Sequence, residues 1–172
     1  MKKVMPSRYW YFLRLECFQF AEKVKPTNIY HEFQSNGDFI LRQIAWGKFG
    51  EWLIAFELDL LGECSEPDMK IYAAKKKSFD ADLTLNGVDV HCKTTTVTSA
   101  KRWGESWCFK AQDPLLKNPE GFVSLCTIDT EKEMAKTYGP FEAKLIVPLL
   151  EEPKAPNQKG KVRILNRSKL PL

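Results

Sequence analysis

Apolar residues recur along this chain in two rhythms. Near the N-terminus Trp10, Leu13, Cys17 and Phe20 fall three or four positions apart, which is the spacing of one helix face. The spacing predicts a helix over residues 7–23, with Ser7 as its cap and Pro26 beyond its end. A second helical stretch is expected over residues 39–61. Asp38 would cap it, Gly47 or Gly50 would break it, and Gly62 would stop it. The rhythm then changes to extended segments. Residues 64–72, 77–85 and 88–96 read as extended, and residues 107–109 as a short strand. Asp113-Pro114 would open a short helix. The apolar runs at 122–128 and 144–150 read as strands, and residues 163–165 as a short edge strand. This order predicts an α/β (α+β) domain with a mixed sheet.

The sharpest local pattern is FDADLTLNGVDVHCKTTT. Asn-Gly is the strongest short-range signal for a two-residue hairpin turn, because both turn positions need a positive φ. A turn at Asn86-Gly87 fixes the register: Leu85 faces Val88, Leu83 faces Val90, Asp82 faces His91 and Asp80 faces Lys93. Alternation then puts Ala81, Leu83, Val88, Val90 and Cys92 on a core face. Asp80, Asp82, Asp89, His91 and Lys93 share the other. Carboxylates, an imidazole and an ammonium gathered on one patch suit a metal-dependent phosphodiesterase, which needs oxygen or nitrogen ligands and a cation near the attacking water.

Glu51 adds to this. It lies in GKFGEWLIAFELDLLG, on a helical stripe with Gly47, Ile54, Ala55 and Leu58. A carboxylate inside a small and apolar stripe must find a partner, since burying it alone is costly. A metal-bound water or a hairpin lysine would serve, as would an ordinary salt bridge to Arg42 or Lys48.

With 172 residues, the chain suffices for one domain with a real core. No apolar run approaches a membrane span. The N-terminal stretch resembles a secretory signal but carries Arg14 and Glu16 and lacks a small-residue cleavage site. A cytoplasmic protein is expected. Five widely spaced cysteines with no CxxC pair argue for free thiols over a zinc module. The net charge of +4 lies entirely in residues 151–172, where six basic residues face two acidic ones. The expected organisation is a domain over residues 1–150, with an N-terminal helical segment at 1–37, and a basic tail at 151–172. That tail is either an arm for phosphates or a solvated end.

Taken in order, an acidic residue in a core helix (Glu51), an Asp before a hairpin (Asp82) and HCK on the next strand (His91, Lys93) resemble the PD-(D/E)xK nuclease superfamily. That superfamily includes restriction enzymes, Holliday-junction resolvases, phage exonucleases and some homing endonucleases. The resemblance covers residues 46–128 and is closest to small phage-encoded endonucleases, homing-type enzymes among them. It implies a restriction-endonuclease-like core, with a central mixed β-sheet flanked by helices. It also implies a metal-dependent DNA endonuclease using Mg²⁺ or Mn²⁺, placed in the host cytoplasm if phage-encoded. Asp82 would hold the ion with the Cys92 backbone carbonyl and waters, Glu51 would bind a second ion or its water, and Lys93 would orient the attacking water. Gln112 matches the glutamine that several members carry after the motif strand.

The departure is His91, where the family has Asp or Glu. An imidazole suits transition metals better than Mg²⁺. His91 would sit beside the ligands, would leave Asp80 or Asp89 to supply the missing oxygen, or would act as a general base. DNA contacts are expected from Lys75, Lys76, Lys77, Lys101, Arg102 and Gln112. Cutting both strands calls for two copies, so a homodimer or higher homo-oligomer is expected, with the aromatic N-terminal helix as its interface. The alternatives are a nuclease-fold protein that binds DNA with impaired catalysis, a resolvase of Holliday junctions or other branched DNA, and a small structural protein whose acidic hairpin is merely solvated. Pro67-Asp68 reads as a turn or a strand lead-in, and His31 as a surface residue.

Overall fold

The computed structural model describes residues 7–24, 36–71 and 81–171. Two long helices come first: α1 (Ser7–Val24) and α2 (Gly37–Leu58). A hairpin follows, β1 (Leu83–Leu85) and β2 (Val88–Thr96), then α3 (Val97–Trp103) and β3 (Ser106–Lys110). The chain ends with β4 (Phe122–Asp129), β5 (Met134–Glu142), α4 (Ala143–Ile146) and β6 (Val162–Asn166).

Strands β1, β2, β4 and β5 form one mixed sheet in that order. β2 and β4 run parallel at its centre, and both outer pairs are antiparallel. β3 and β6 form a separate antiparallel pair. The result is an α+β fold in three layers. On one face of the mixed sheet, Phe49, Leu53, Ile54 and Leu58 of α2 meet Leu83, Leu85, Val90, Cys92, Cys126 and Ile128. On the other face, Val123, Leu125 and Tyr138 meet Trp107 and Phe109 of β3 and Leu165 of β6. β4 is buried on both sides, which is why its sequence is an apolar run without alternation.

The hairpin forms in the expected register, with Leu83↔Val90, Thr84↔Asp89 and Leu85↔Val88 paired. Asn86 and Gly87 have φ of 50° and 77°, as a two-residue turn of this type requires. Leu83, Leu85, Val90 and Cys92 are buried; Val88, at the turn, is exposed. α1 buries Trp10, Cys17 and Phe20 as its periodicity predicts, and Trp10 meets Phe49 edge-on at 4.7 Å.

Several expectations are corrected. α2 is capped by Asn36, whose Oδ1 accepts from the N–H groups of Asp38 and Phe39 at 3.1 and 3.2 Å. Asp38 instead occupies the first turn, where a carboxylate suits the helix dipole. Neither Gly47 nor Gly50 breaks α2, because its packing outweighs two weak helix formers. Gly50 instead lets the helix lie against Thr94 of β2. The strand expected at 144–150 is helical: Ala143 and Ile146 are buried three apart while Leu145 is exposed, and Pro148 cannot continue a ladder. Two elements were not foreseen. α3 starts at Thr96, whose Oγ1 accepts the Ser99 N–H at 3.2 Å. β5 carries Gly139-Pro140, a turn-like dipeptide tolerated at a sheet edge.

The basic C-terminal segment does not extend as an arm from the domain. Arg163–Leu165 falls inside β6, which pairs with β3, and Leu165 and Leu170 are buried. Arg163 pairs with Glu152, Lys169 with Glu151, and Arg167 with Glu105. No helix among the described residues is long and apolar enough to cross a membrane. The five cysteines are free thiols.

Candidate active site

Asp82 stands just before β1, where the hairpin ladder ends. Pairing stops at Leu83↔Val90, so Asp82 does not sit across from His91 in a continuing ladder. Its carboxylate continues the connection instead: Oδ2 accepts the Cys92 backbone N–H at 2.7 Å. This charge-assisted bond holds the carboxylate to β2. The Cys92 side chain points into the core, and burial first, then the Asp82 charge, push its thiol well up, so it stays neutral.

Glu51 comes from the middle of α2 and is only 9% exposed. The Lys48 ammonium, one turn back, donates to its Oε2 at 2.7 Å. The salt bridge weighed for Glu51 therefore exists, with Lys48 and not Arg42, which is exposed. It does not fully compensate the acid. Burial pushes the Glu51 carboxyl up, the Asp82 charge adds to this, Lys48 and then Lys93 oppose it, and the balance lies at about 7. The protein has placed two carboxylates within each other's field with too little positive charge between them.

Lys93 lies on the opposite sheet face from α2, with a side chain 21% exposed. Its Nζ is 3.6 Å from Asp113 Oδ2 and 5.4 Å from the centre of the Phe109 ring. Burial alone would lower its pKa. Asp82 first, then Asp113, Cys92 and Glu51, outweigh that and hold it above the ordinary lysine value. Half-buried His91 moves the other way: burial and then Lys93 lower its pKa, against Asp82, Asp113 and Asp89. It is therefore a neutral imidazole at physiological pH, with one nitrogen lone pair available.

Asp82 and Lys93 thus lie within electrostatic reach of both Glu51 and His91, brought together from a helix and a hairpin. Asp113, which reaches both Lys93 and His91, is the member that sequence reasoning missed. Asp113-Pro114 opens the expected short helix, and Asp113 caps the turn at Pro114–Leu116, a local role that hides its second one. Lys101 and Arg102 are exposed in the last turn of α3, with the Arg102 guanidinium 4.9 Å from the Trp103 ring centre. Gln112 is exposed beside Asp113. Asp80, Lys75, Lys76, Lys77 and His31 lie outside the described residues. Asp68 accepts the Lys70 N–H at 2.9 Å in a local side-chain bond.

The donor set can be tested against a divalent ion. Among the described residues, no three His, Cys, Asp or Glu side chains form a ready ligand cluster. Mg²⁺ keeps several waters and binds through one or two carboxylates plus substrate phosphates. Two mutually repelling carboxylates, each with a second oxygen besides the one bonded to protein, fit that requirement.

No protein-family model matches the chain, and no curated protein or solved structure is significantly similar to it.

Proposed function

We propose that this protein is a metal-dependent DNA endonuclease with a restriction-endonuclease-like active site. The observation that carries the reading is the placement of buried Glu51 within the field of Asp82, whose carboxylate the Cys92 N–H fixes to β2. A repelling pair of this kind, with Glu51 buried and Asp82 partly so, costs stability in a plain core. A site that binds a divalent cation would keep it. Asp82 and Glu51 would hold Mg²⁺ or Mn²⁺, with the Cys92 backbone carbonyl as a further oxygen donor. When bound, the ion supplies charge stabilisation at a phosphate and a more acidic water.

The remaining roles belong to the chain itself. Lys93, kept protonated by its acidic neighbours, stabilises charge that develops as the phosphodiester is cut. His91, kept neutral, is able to accept a proton from an attacking water. Lys101, Arg102 and Gln112 are exposed where they can touch the DNA backbone, and Lys75, Lys76 and Lys77 are assigned the same role from sequence. A homodimer would supply two sites for two strands. The outer face of α1, with Phe12 66% exposed beside Tyr11 and Leu15, supports that assembly.

The test is plasmid nicking in Mg²⁺ or Mn²⁺. Asp82→Ala and Lys93→Ala are each expected to abolish cleavage while the protein stays folded by circular dichroism. Retained cleavage in both variants would sink the assignment. A second reading, DNA binding with impaired catalysis, is favoured by His91 and by the Lys48–Glu51 bridge, which partly neutralises a would-be ligand. Retained DNA affinity with no cleavage in any metal would select it. Comparing duplex with four-way junction substrates separates an endonuclease of linear DNA from a resolvase.

A further inference from the structure

Lys93 is the only cation on its strand, and a lysine side chain has four rotatable bonds. A lysine that must meet one oxygen atom in a transition state has to be held. The structure supplies the holder from a different sheet. β3 ends at Lys110, and the chain turns so that the Asp113 N–H donates to the Lys110 carbonyl at 3.0 Å. Asp113 then divides its carboxylate between two tasks. Oδ1 accepts the Leu115 N–H at 3.1 Å, and Oδ2 lies 3.6 Å from Lys93 Nζ. Leu115 is buried in the second core and fixes the turn in place. Phe109, also buried, offers its ring face to the same ammonium. The Asp113 side chain is 15% exposed, so the pair is shielded from much of the solvent screening that weakens surface ion pairs.

We infer that Asp113 is a positioning residue for the proposed nuclease reaction, aiming the Lys93 ammonium through a carboxylate that the capped turn after β3 holds rigid. The inference rests on the nuclease reading and adds a residue to it. It also gives the β3–β6 pair a role, since this small sheet carries the turn that orients the Lys93 ammonium.

Asp113→Asn is the discriminating variant. Its amide oxygen still accepts the Leu115 N–H, so the turn survives while the charge on Lys93 is lost. Two readouts are needed. In metal-free protein, the ¹H–¹⁵N signal of the Lys93 ammonium, slowed in exchange by its carboxylate partner, is expected in the parent and lost in Asp113→Asn. In metal, kcat for cleavage is expected to fall by roughly 10²-fold, with KM for DNA unchanged. Asp113→Glu, which keeps the charge, is expected to recover part of kcat. Parental kcat in Asp113→Asn, or a change confined to KM, would overturn the positioning role. If the ammonium signal behaves as expected but the parent cleaves no DNA in any metal, the nuclease reading itself fails. Asp113–Lys93 is then a structural ion pair only.

Discussion

At the scale of single residues, Glu51 links stability to the proposed metal site. Its folded carboxyl titrates at about 7 against the ordinary value of 4.5. Between those values the folded protein keeps a proton that the unfolded chain has released. The contribution of Glu51 to the stability of the metal-free protein is therefore greatest below this window, falls as pH rises through it, and levels above pH 7, while the lowered His91 works in the opposite sense. The loss amounts to roughly 3 kcal/mol across the window. Thermal melts in chelator are expected to show a declining midpoint from pH 4.5 to pH 7.5 in the parent. Glu51→Gln should flatten that decline, and an unchanged slope in the variant would remove Glu51 as its source. Glu51 was legible in the sequence because a lone acid interrupts an apolar stripe. The Asp82–Cys92 bond was not, because nothing in alternation says where a ladder stops. Asp113 was missed for a related reason: a carboxylate with a local capping role conceals any second role for its other oxygen.

At the scale of elements, the close approach of α2 to β2 brings Glu51 toward the hairpin. Gly50 makes that approach possible. A Cβ there would come 2.9 Å from the Cβ of Thr94, with the other Thr94 side-chain atoms nearer still. Gly47, on the same helix, has open space around the corresponding position. The two glycines should therefore respond in opposite directions. Gly47→Ala is expected to stabilise by up to about 1 kcal/mol through helix propensity. Gly50→Ala is expected to destabilise by about 1–3 kcal/mol through overpacking and, under the proposed nuclease function, to lower cleavage by shifting Glu51. Denaturant melts of both variants check this; equal effects would mean that α2 does not rest on β2 at Gly50. The elements that were legible, α1, α2 and the hairpin, owe this to strong periodicity or to a turn with one chemical solution. β5 and α4 were not. Gly139-Pro140 imitates a loop inside an edge strand, and the apolar run after Ala143 looks extended until burial shows Ala143 and Ile146 on one helical face.

At the scale of the whole molecule, the mixed sheet is covered by two unlike layers, and the C-terminal segment completes the second. Basic composition suggested a tail, since charge counts do not reveal the acidic partners that fold it back. Glu105 is such a partner. It accepts from the hydroxyls of Thr127 and Tyr138 at 2.7 and 2.8 Å and faces Arg167 at 3.7 Å, tying both sheets together. Leu165, fully buried among Trp107, Val123 and Leu125, seals this layer. Leu165→Ala is expected to cost about 2–5 kcal/mol, read as a lowered denaturant midpoint. A cost below 0.5 kcal/mol, about that of a typical surface substitution, would mean that the segment is not part of the core. The three-layer arrangement matters for chemistry because it presses on the hairpin from both sides. α2 delivers Glu51 from one layer, and the β3 turn delivers Asp113 from the other.

The reading depends most on whether Glu51 and Asp82 form a seat for a divalent cation. Calorimetric titration of the metal-free protein with Mn²⁺ addresses this without requiring a known DNA target. Saturable binding is expected in the parent, weakened at least tenfold in Glu51→Gln and lost in Asp82→Asn, with both variants folded. Absence of binding in the folded parent, or equal binding in the parent and Asp82→Asn, would contradict it.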